Sequence, residues 1–163
     1  MKEKAAAALV RFFGTDVKRT AHALKVAAWA ETLGALEALD PPALETLVLA
    51  ALFHDLGIKI AEDRYGSCTF RQQEELGPPA AAELLRELAA PEAAVDRVCF
   101  LVAHHHSPDA SEDRDFRILI EADFLVNLEE ENLPRQQVRE IGSRHFRTAA
   151  GLSFLAMMFG YAP

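Results

Sequence analysis

The chain has 163 residues, of which 50% are hydrophobic and 26% are charged, and its formal net charge is −8. This composition is typical of a folded globular protein and excludes disordered and collagen-like chains. The acidic balance excludes a basic surface for long nucleic acids, but a small phosphorylated substrate is compatible because a pocket can be locally cationic. The length predicts a single domain over residues 1–163.

The apolar positions recur three and four residues apart, and β-branched residues are sparse, which is the helical pattern. We therefore predict an all-α bundle of about six to seven helices. A cap at Thr15 or Asp16 starts the second helix, Asp40 precedes the third, and Gly57 ends it. The predicted helices cover about residues 3–13, 16–38, 41–56, 71–89, 91–106, 113–130 and 134–159. Residues 57–70 lack a clear period and are predicted to form a loop, and the helix over 134–159 is expected to pack on a core spanning about 15–130.

Cysteine usage and the apolar runs bear on the cellular compartment. Cys68 and Cys99 form neither a CxxC pair nor a disulfide framework. The apolar run near the start ends after six residues at Arg11, which is too short for a signal-peptide core. No apolar run approaches the roughly 20 residues that span a bilayer. These patterns predict a cytoplasmic protein with no membrane partner.

Four residues that can bind a metal fall at apolar-facing positions of the predicted helices: His22, His54, Asp55 and Asp123. Imidazole and carboxylate groups are costly in an apolar interior unless they are paired or bound to a cation. One divalent ion would satisfy all four. Two nitrogen and two oxygen donors suit Mn, Fe, Co, Ni or Zn, and the spacing does not select among them.

The order of these residues resembles the HD-domain superfamily of metal-dependent phosphohydrolases, whose signature is a histidine, a His-Asp doublet and a distal aspartate. The resemblance covers roughly residues 15–130 and includes three further matches: Arg19, Leu56-Gly57 and Glu121-Ala122. It implies an all-helical fold in which His22, His54, Asp55 and Asp123 hold one metal. It also implies hydrolysis of a small phosphate ester, with a nucleotide as one candidate.

The sequence departs from the family pattern at positions that concern a second metal and the substrate. Gln73 stands where two-metal members carry a further histidine, which weakens the case for a second metal. The run His104-His105-His106 nevertheless resembles the pair of histidines that completes such a site, so a second metal remains possible. Ile58 replaces the lysine that directly follows His-Asp-x-Gly in cyclic-dinucleotide phosphodiesterases. The Glu-Asp pair found soon after the doublet in guanosine-tetraphosphate hydrolases is missing, although Glu62-Asp63 lies further along. Neither subclass is favoured.

Candidate catalytic groups surround the doublet. Negative charge on a phosphoryl group requires cations, for which Arg19, Lys59 and protonated His104 or His105 are candidates. Three consecutive histidines at a helix end span about 200° of arc, so at most two can face one pocket. We expect His104 and His105 to be those two. The base that accepts a proton from water is either Asp55 or one of these histidines.

Two other functions remain open from the sequence. Some members of the superfamily are oxygenases, which hold two irons and oxidise C–H bonds. His104 or His105 could help to hold a second iron here, although Gln73 argues against it. A catalytically silent module that binds a nucleotide or a metal is the second alternative. Met157 and Met158 are interpreted as core packing or as the surface of a homodimer.

Overall fold

A computed structural model describes residues 1–162 of the chain. Within these residues it contains nine α-helices, one short 3-10 helix over Pro108–Ala110, and no β-strand. The all-α prediction is confirmed. The helices are α1 (Lys2–Phe13), α2 (Val17–Leu36), α3 (Pro41–Phe53), α4 (Leu56–Tyr65), α5 (Phe70–Glu87), α6 (Glu92–His104), α7 (Arg114–Glu131), α8 (Arg135–His145) and α9 (Ala149–Phe159).

Aspartate caps begin the two helices that carry the first part of the signature. The side chain of Asp16 accepts a hydrogen bond from the backbone N of Arg19 at the start of α2. Asp40 accepts one from the backbone N of Ala43 at the start of α3, where two prolines fill the first turn. Each cap satisfies an amide that has no partner inside the helix, which explains why the chain turns into a helix at these points.

Helix α3 lies in the centre of the molecule. Its residues 47–53 are all buried, as expected for a helix that is hydrophobic all round. Helix α2 packs on α3 and α7, while α5 packs on α4 and α6. The carboxyl end of α3 therefore delivers His54 into the protein interior, between helices that carry the other candidate ligands.

The predicted loop over residues 57–70 is wrong for most of its length, because residues 56–65 form α4. Only small residues, Gly57 and Ala61, accompany Leu56 on its buried face, so the large apolar stripe that identifies a helix in a sequence is missing. Gly57 does not end a helix. The left-handed residue is Gly66, with φ 75°, at the end of α4.

The single C-terminal helix predicted over residues 134–159 is also wrong, because it is divided into α8 and α9. Buried Glu121 of α7 accepts hydrogen bonds from the backbone N atoms of Arg147 and Thr148, at 2.6 and 2.8 Å. Those amides therefore cannot continue α8. Thr148 then caps α9 by accepting from Gly151 N. This division and α4 raise the count from six or seven helices to nine within residues 1–162.

The helices form one hydrophobic core cluster that includes residues from α1 to α9. None of the helices in the described part of the chain combines the length and the apolar character needed to cross a membrane.

Candidate metal centre

Four side chains from three parts of the fold converge at the carboxyl end of α3. His22 comes from α2, His54 and Asp55 from the junction of α3 and α4, and Asp123 from α7. His22 Nε2 lies 3.2 Å from Asp123 Oδ1 and 3.7 Å from Asp55 Oδ2. His54 Nε2 lies 3.4 Å from Asp55 Oδ2 and 3.6 Å from Asp123 Oδ1. The residues singled out from the sequence are thus brought together at one point.

The outer nitrogen of each imidazole is already engaged. His22 Nδ1 donates a hydrogen bond to Glu130 Oε2 at 3.0 Å, and His54 Nδ1 donates one to the carbonyl of Ala51 at 2.7 Å. Because carboxylates and carbonyls only accept, the proton must reside on Nδ1 in both rings. Each ring therefore turns Nε2 towards the two carboxylates.

These contacts test whether the residues fit a metal. His54 Nε2 is buried and has no hydrogen-bond partner among the described residues. With a proton on each Nδ1, a neutral ring would set its Nε2 lone pair against the carboxylate oxygens of Asp55 and Asp123, so each Nε2 needs either a second proton or a cation. A cation at their centre removes this conflict, and two imidazoles with two carboxylates are suitable ligands for a divalent transition metal. The residues fit.

The electrostatics of the centre favour positive charge. Burial lowers the pKa of His54, but the carboxylates of Asp55 and Asp123 together outweigh burial and hold that pKa well above its usual range. Burial likewise opposes ionisation of Asp123, yet the hydrogen bond from His22 and the nearby imidazole of His54 hold its pKa well below the ordinary value. Protons and metal ions compete for such nitrogen atoms, so a site that attracts protons this strongly also attracts a metal cation.

A second cluster adjoins the first through Asp55. Ligand atoms of Asp55, His105 and His106 lie within 4.8 Å of one another. His105 Nδ1 donates to the carbonyl of Val102 at 2.8 Å, which leaves Nε2 facing Asp55 Oδ1 at 3.8 Å. Buried Gln73 inserts its amide nitrogen between them and donates to both Asp55 Oδ1 and His105 Nε2. An amide donor therefore satisfies the lone pairs that a second cation would require.

Among the three consecutive histidines, the structure corrects which two face the cavity. His104, predicted to do so with His105, instead packs its ring on Phe100, with centroids 4.8 Å apart. His105 and His106 line the cavity. Burial, together with the charge of His105, lowers the pKa of His106 to about 4, so this ring is neutral at pH 7. The helix ends at His104, and the next two residues turn inward from there.

Both clusters open into a cavity of about 790 Å³. This volume is within the range of sites for small organic ligands and exceeds what an ion and a phosphate need. Its walls include Lys18, Arg19, Ile58, Phe70, Phe124 and His145. The centre thus lies beside a space large enough for a substrate of nucleotide size.

Of the two basic residues predicted to contact phosphate, Arg19 lines the cavity and Lys59 does not. Arg19 lines the cavity, but its guanidinium already pairs with Asp16 and Glu62, each at 2.7 Å. Lys59 is not among the lining residues; its ammonium pairs with Asp63 one helical turn further along α4, at 3.1 Å. The helical form of α4 explains this correction, because it turns Lys59 away while Ile58 faces the cavity.

Sequence reasoning missed Lys18 and Glu130. Lys18 lines the cavity, is exposed and makes no ion pair among residues 1–162. Glu130 follows Asp123 by seven residues, which make almost two complete helical turns and bring the two side chains to the same face. That spacing was the available signal.

Comparison with known proteins supports the family suggested by the motif. A family model described as HD domain matches residues 19–141, well over half of the chain, and this range contains all four candidate ligands. Neither the curated proteins nor the solved structures yield a match.

Proposed function

The chain belongs to the HD-domain family, and from this premise we propose that it is a phosphohydrolase that uses one divalent metal to cleave a small phosphate monoester. One observation carries the proposal: His22, His54, Asp55 and Asp123 converge beside a cavity of about 790 Å³. The family generally consists of metal-dependent hydrolases, and the donor set matches that chemistry. The substrate and the single metal are our inference.

The proposed roles divide between the metal and the protein. When bound by His22, His54, Asp55 and Asp123, the metal supplies Lewis acidity towards a phosphoryl group and makes water more acidic. His105 is the proposed acceptor of a proton from water, because its Nδ1–H is fixed on the carbonyl of Val102 and only Nε2, which otherwise accepts from the Gln73 amide at 3.4 Å, can take a proton. The same carbonyl then stabilises the imidazolium by accepting from its other nitrogen.

The charges around the cavity support a single phosphate over a polyphosphate. Its acidic lining comprises Asp16, Asp55, Asp123, Glu130 and Glu131. The basic lining comprises Lys18 and Arg19, and the guanidinium of Arg19 is already paired with two carboxylates. A triphosphate carries several negative charges that this surface could not offset. We therefore propose that Lys18, with Arg19, contacts one phosphate.

An apolar wall supports an aromatic group on the substrate, such as a nucleobase. Phe124, next to the ligand Asp123, stacks on His145 with ring centroids 4.5 Å apart. Ile58 and Phe70 also line the cavity, and Phe70 is 72% exposed, so its ring is open to contact with a substrate. Stacking on such a surface suits nucleoside monophosphates.

The test begins with the metal content of the purified chain, followed by a phosphate-release screen with the metal that is found. The screen compares nucleoside mono-, di- and triphosphates with an aromatic phosphomonoester. We expect one metal per chain and turnover of monophosphates in preference to triphosphates. Oxygen uptake with two irons per chain would instead indicate the oxygenase, and saturable binding of nucleotide without product would indicate the silent module.

Replacing Gln73 with histidine is expected to raise the metal content from one ion per chain to two. The substitution removes the amide donor between Asp55 and His105 and supplies a nitrogen ligand that, with His106, completes a second site. Elemental analysis after saturation with Zn²⁺ and desalting measures the ratio. Gln136→His, which adds a histidine on the exposed part of α8, is the control and should stay at one. An unchanged ratio in Gln73→His would contradict the role assigned to the amide.

His105→Ala is expected to reduce kcat by about 100-fold, the usual contribution of a positioned acid or base. His104→Ala should change kcat less than about twofold, because its ring packs on Phe100 and does not line the cavity. Steady-state phosphate release at saturating metal compares the two neighbouring alanine variants. Equal losses would show that the structure assigns the wrong histidine to the cavity.

A further inference from the structure

Helix α7 contacts both nitrogen atoms of the His22 ring. Asp123 Oδ1 lies 3.2 Å from Nε2, and Glu130 Oε2 lies 3.0 Å from Nδ1. The two acidic residues are seven positions apart, so they project from the same face of α7 about two turns from each other. The imidazole is held between them, with only 11% of its side chain exposed.

His22 differs from His54 and His105 in what holds its outer nitrogen. His54 and His105 each follow the last residue of a helix, where carbonyl groups lack helical partners, and each donates to the carbonyl three residues earlier. His22 lies inside α2, whose carbonyls are occupied by the helix itself. Its Nδ1 therefore needs an acceptor from another helix.

We propose that Glu130 is a positioning residue that fixes His22 as an Nε2 ligand of the metal. By accepting the Nδ1–H, its carboxylate excludes the tautomer that would place a proton on the inward-facing nitrogen, and it fixes the plane of the ring. Such an outer carboxylate also makes the ligating nitrogen more basic. The inference rests on the proposed metal centre, and the phosphohydrolase activity is not needed for its test.

Lys25 keeps the Glu130 carboxylate in place. Its ammonium lies 3.1 Å from Glu130 Oε1, so that one carboxylate oxygen contacts Lys25 and the other contacts His22. The side chain of Glu130 is only 21% exposed. The neighbouring Glu129 contacts the same Lys25 at 2.8 Å, but its side chain is 54% exposed and does not contact His22. Glu129 is therefore a matched control that shares the charge and the lysine.

Zinc binding by the full chain tests the proposal without reference to turnover. Competition with a chromogenic chelator gives the Zn²⁺ affinities of the wild type and of the Glu130→Ala, Glu130→Gln and Glu129→Ala variants. We expect Glu130→Ala to bind 10- to 100-fold more weakly, the usual effect of losing an outer carboxylate, and Glu129→Ala to bind as the wild type does. Glu130→Gln should recover much of the affinity, because its amide oxygen still accepts from Nδ1.

Nitrogen NMR of the zinc-loaded protein, labelled at histidine, reads the tautomer of His22 directly. In the wild type and in Glu129→Ala, His22 should carry its proton on Nδ1 and show a slowly exchanging proton signal, whereas Glu130→Ala should lose that signal. Thermal unfolding of the metal-free variants establishes that each remains folded. A merely structural role for Glu130 would lower stability without changing the tautomer signal.

The outcomes separate this inference from the proposed function. Equal affinity in the wild type and Glu130→Ala, equal losses in Glu130→Ala and Glu129→Ala, or zinc bound through Nδ1 would overturn the role of Glu130. Zinc binding with the expected loss in Glu130→Ala, but without phosphate release by the wild type, would support Glu130 while contradicting the hydrolase. A wild type that binds no zinc would overturn both.

Discussion

Replacing Asp55 with alanine is expected to abolish metal binding and phosphate release together. Its carboxylate is the one group shared by the two clusters: Oδ2 faces the Nε2 atoms of His22 and His54, at 3.7 and 3.4 Å, while Oδ1 accepts from Gln73. Alanine removes a ligand and leaves the two imidazoles without the negative charge that attracts a cation. We expect the metal affinity to fall by more than the roughly 100-fold that loss of an outer-shell partner can cost.

The control for Asp55→Ala is Asp63→Ala, which also removes an aspartate side chain, but at a position two turns further along, in helix α4. Asp63 is 65% exposed and pairs with Lys59, so its loss should change neither metal affinity nor turnover. Isothermal titration with Zn²⁺ and a phosphate-release assay measure both quantities. Asp55→Ala that still turns over substrate at the wild-type rate would exclude the proposed centre.

The candidate ligands could be selected from the sequence because each one interrupts an apolar pattern. A histidine or an aspartate on the inward face of a helix is costly alone, so several of them in one chain require a shared partner. The order of His22, His54-Asp55 and Asp123 then identified the family. How the helices cross did not have to be known for this step. The helical period places His22, His54 and Asp123 on inward faces, and Asp55 was identified by its position directly after His54.

The surroundings of the ligands could not be predicted because they depend on how each helix is rotated about its axis. One residue corresponds to 100° of rotation, so a small error in where α6 ends exchanges His104 for His106 at the cavity. Lys59 was assigned to a loop, where its direction was undetermined, and the helical form of α4 turns it towards Asp63. Glu130 could be assigned to the same face of α7 as Asp123 only if the seven-residue spacing was considered.

Helix α4 itself was missed because its packing depends on small residues. A sequence displays a helix most clearly through large apolar groups spaced three and four apart. Helix α4 instead approaches α5 closely through Gly57, where a Cβ atom would lie 2.4 Å from the carbonyl oxygen of Gln73. Gly57, which was predicted to end a helix, thus allows the close contact between α4 and α5.

Gly57→Ala is expected to destabilise the fold by about 3 kcal/mol, which is the upper part of the range for overpacked interiors. In an unhindered helix the same substitution would stabilise the protein by about 1 kcal/mol, because alanine is the better helix former. Here the new Cβ would meet backbone atoms of Gln73, including Cα at 2.9 Å, and these cannot move aside as a side chain can. Helices α4 and α5 must therefore separate, and the clash outweighs the propensity.

The matched control for this substitution is Gly77→Ala on the facing helix α5. Its Cβ would meet Val102 Cγ1, a side-chain atom, at 2.9 Å, and the nearest backbone atom, Gly57 N, at 3.6 Å. Rotation of the valine can relieve most of that contact, so we expect a loss of about 1 kcal/mol. Urea unfolding of the two metal-free variants compares these values.

Gly57→Ala should also lower the metal affinity of the site, because the residue that it displaces, Gln73, is the one that donates to Asp55. Gln73 donates to Asp55 Oδ1, and Gly57 lies two residues after that aspartate, so separation of α4 and α5 moves both ends of the contact. The zinc affinity of Gly57→Ala should then fall even where the variant is fully folded, whereas that of Gly77→Ala should not. If Gly57→Ala proved as stable as the wild type and bound zinc equally well, the close approach of α4 and α5 would not be what positions Asp55.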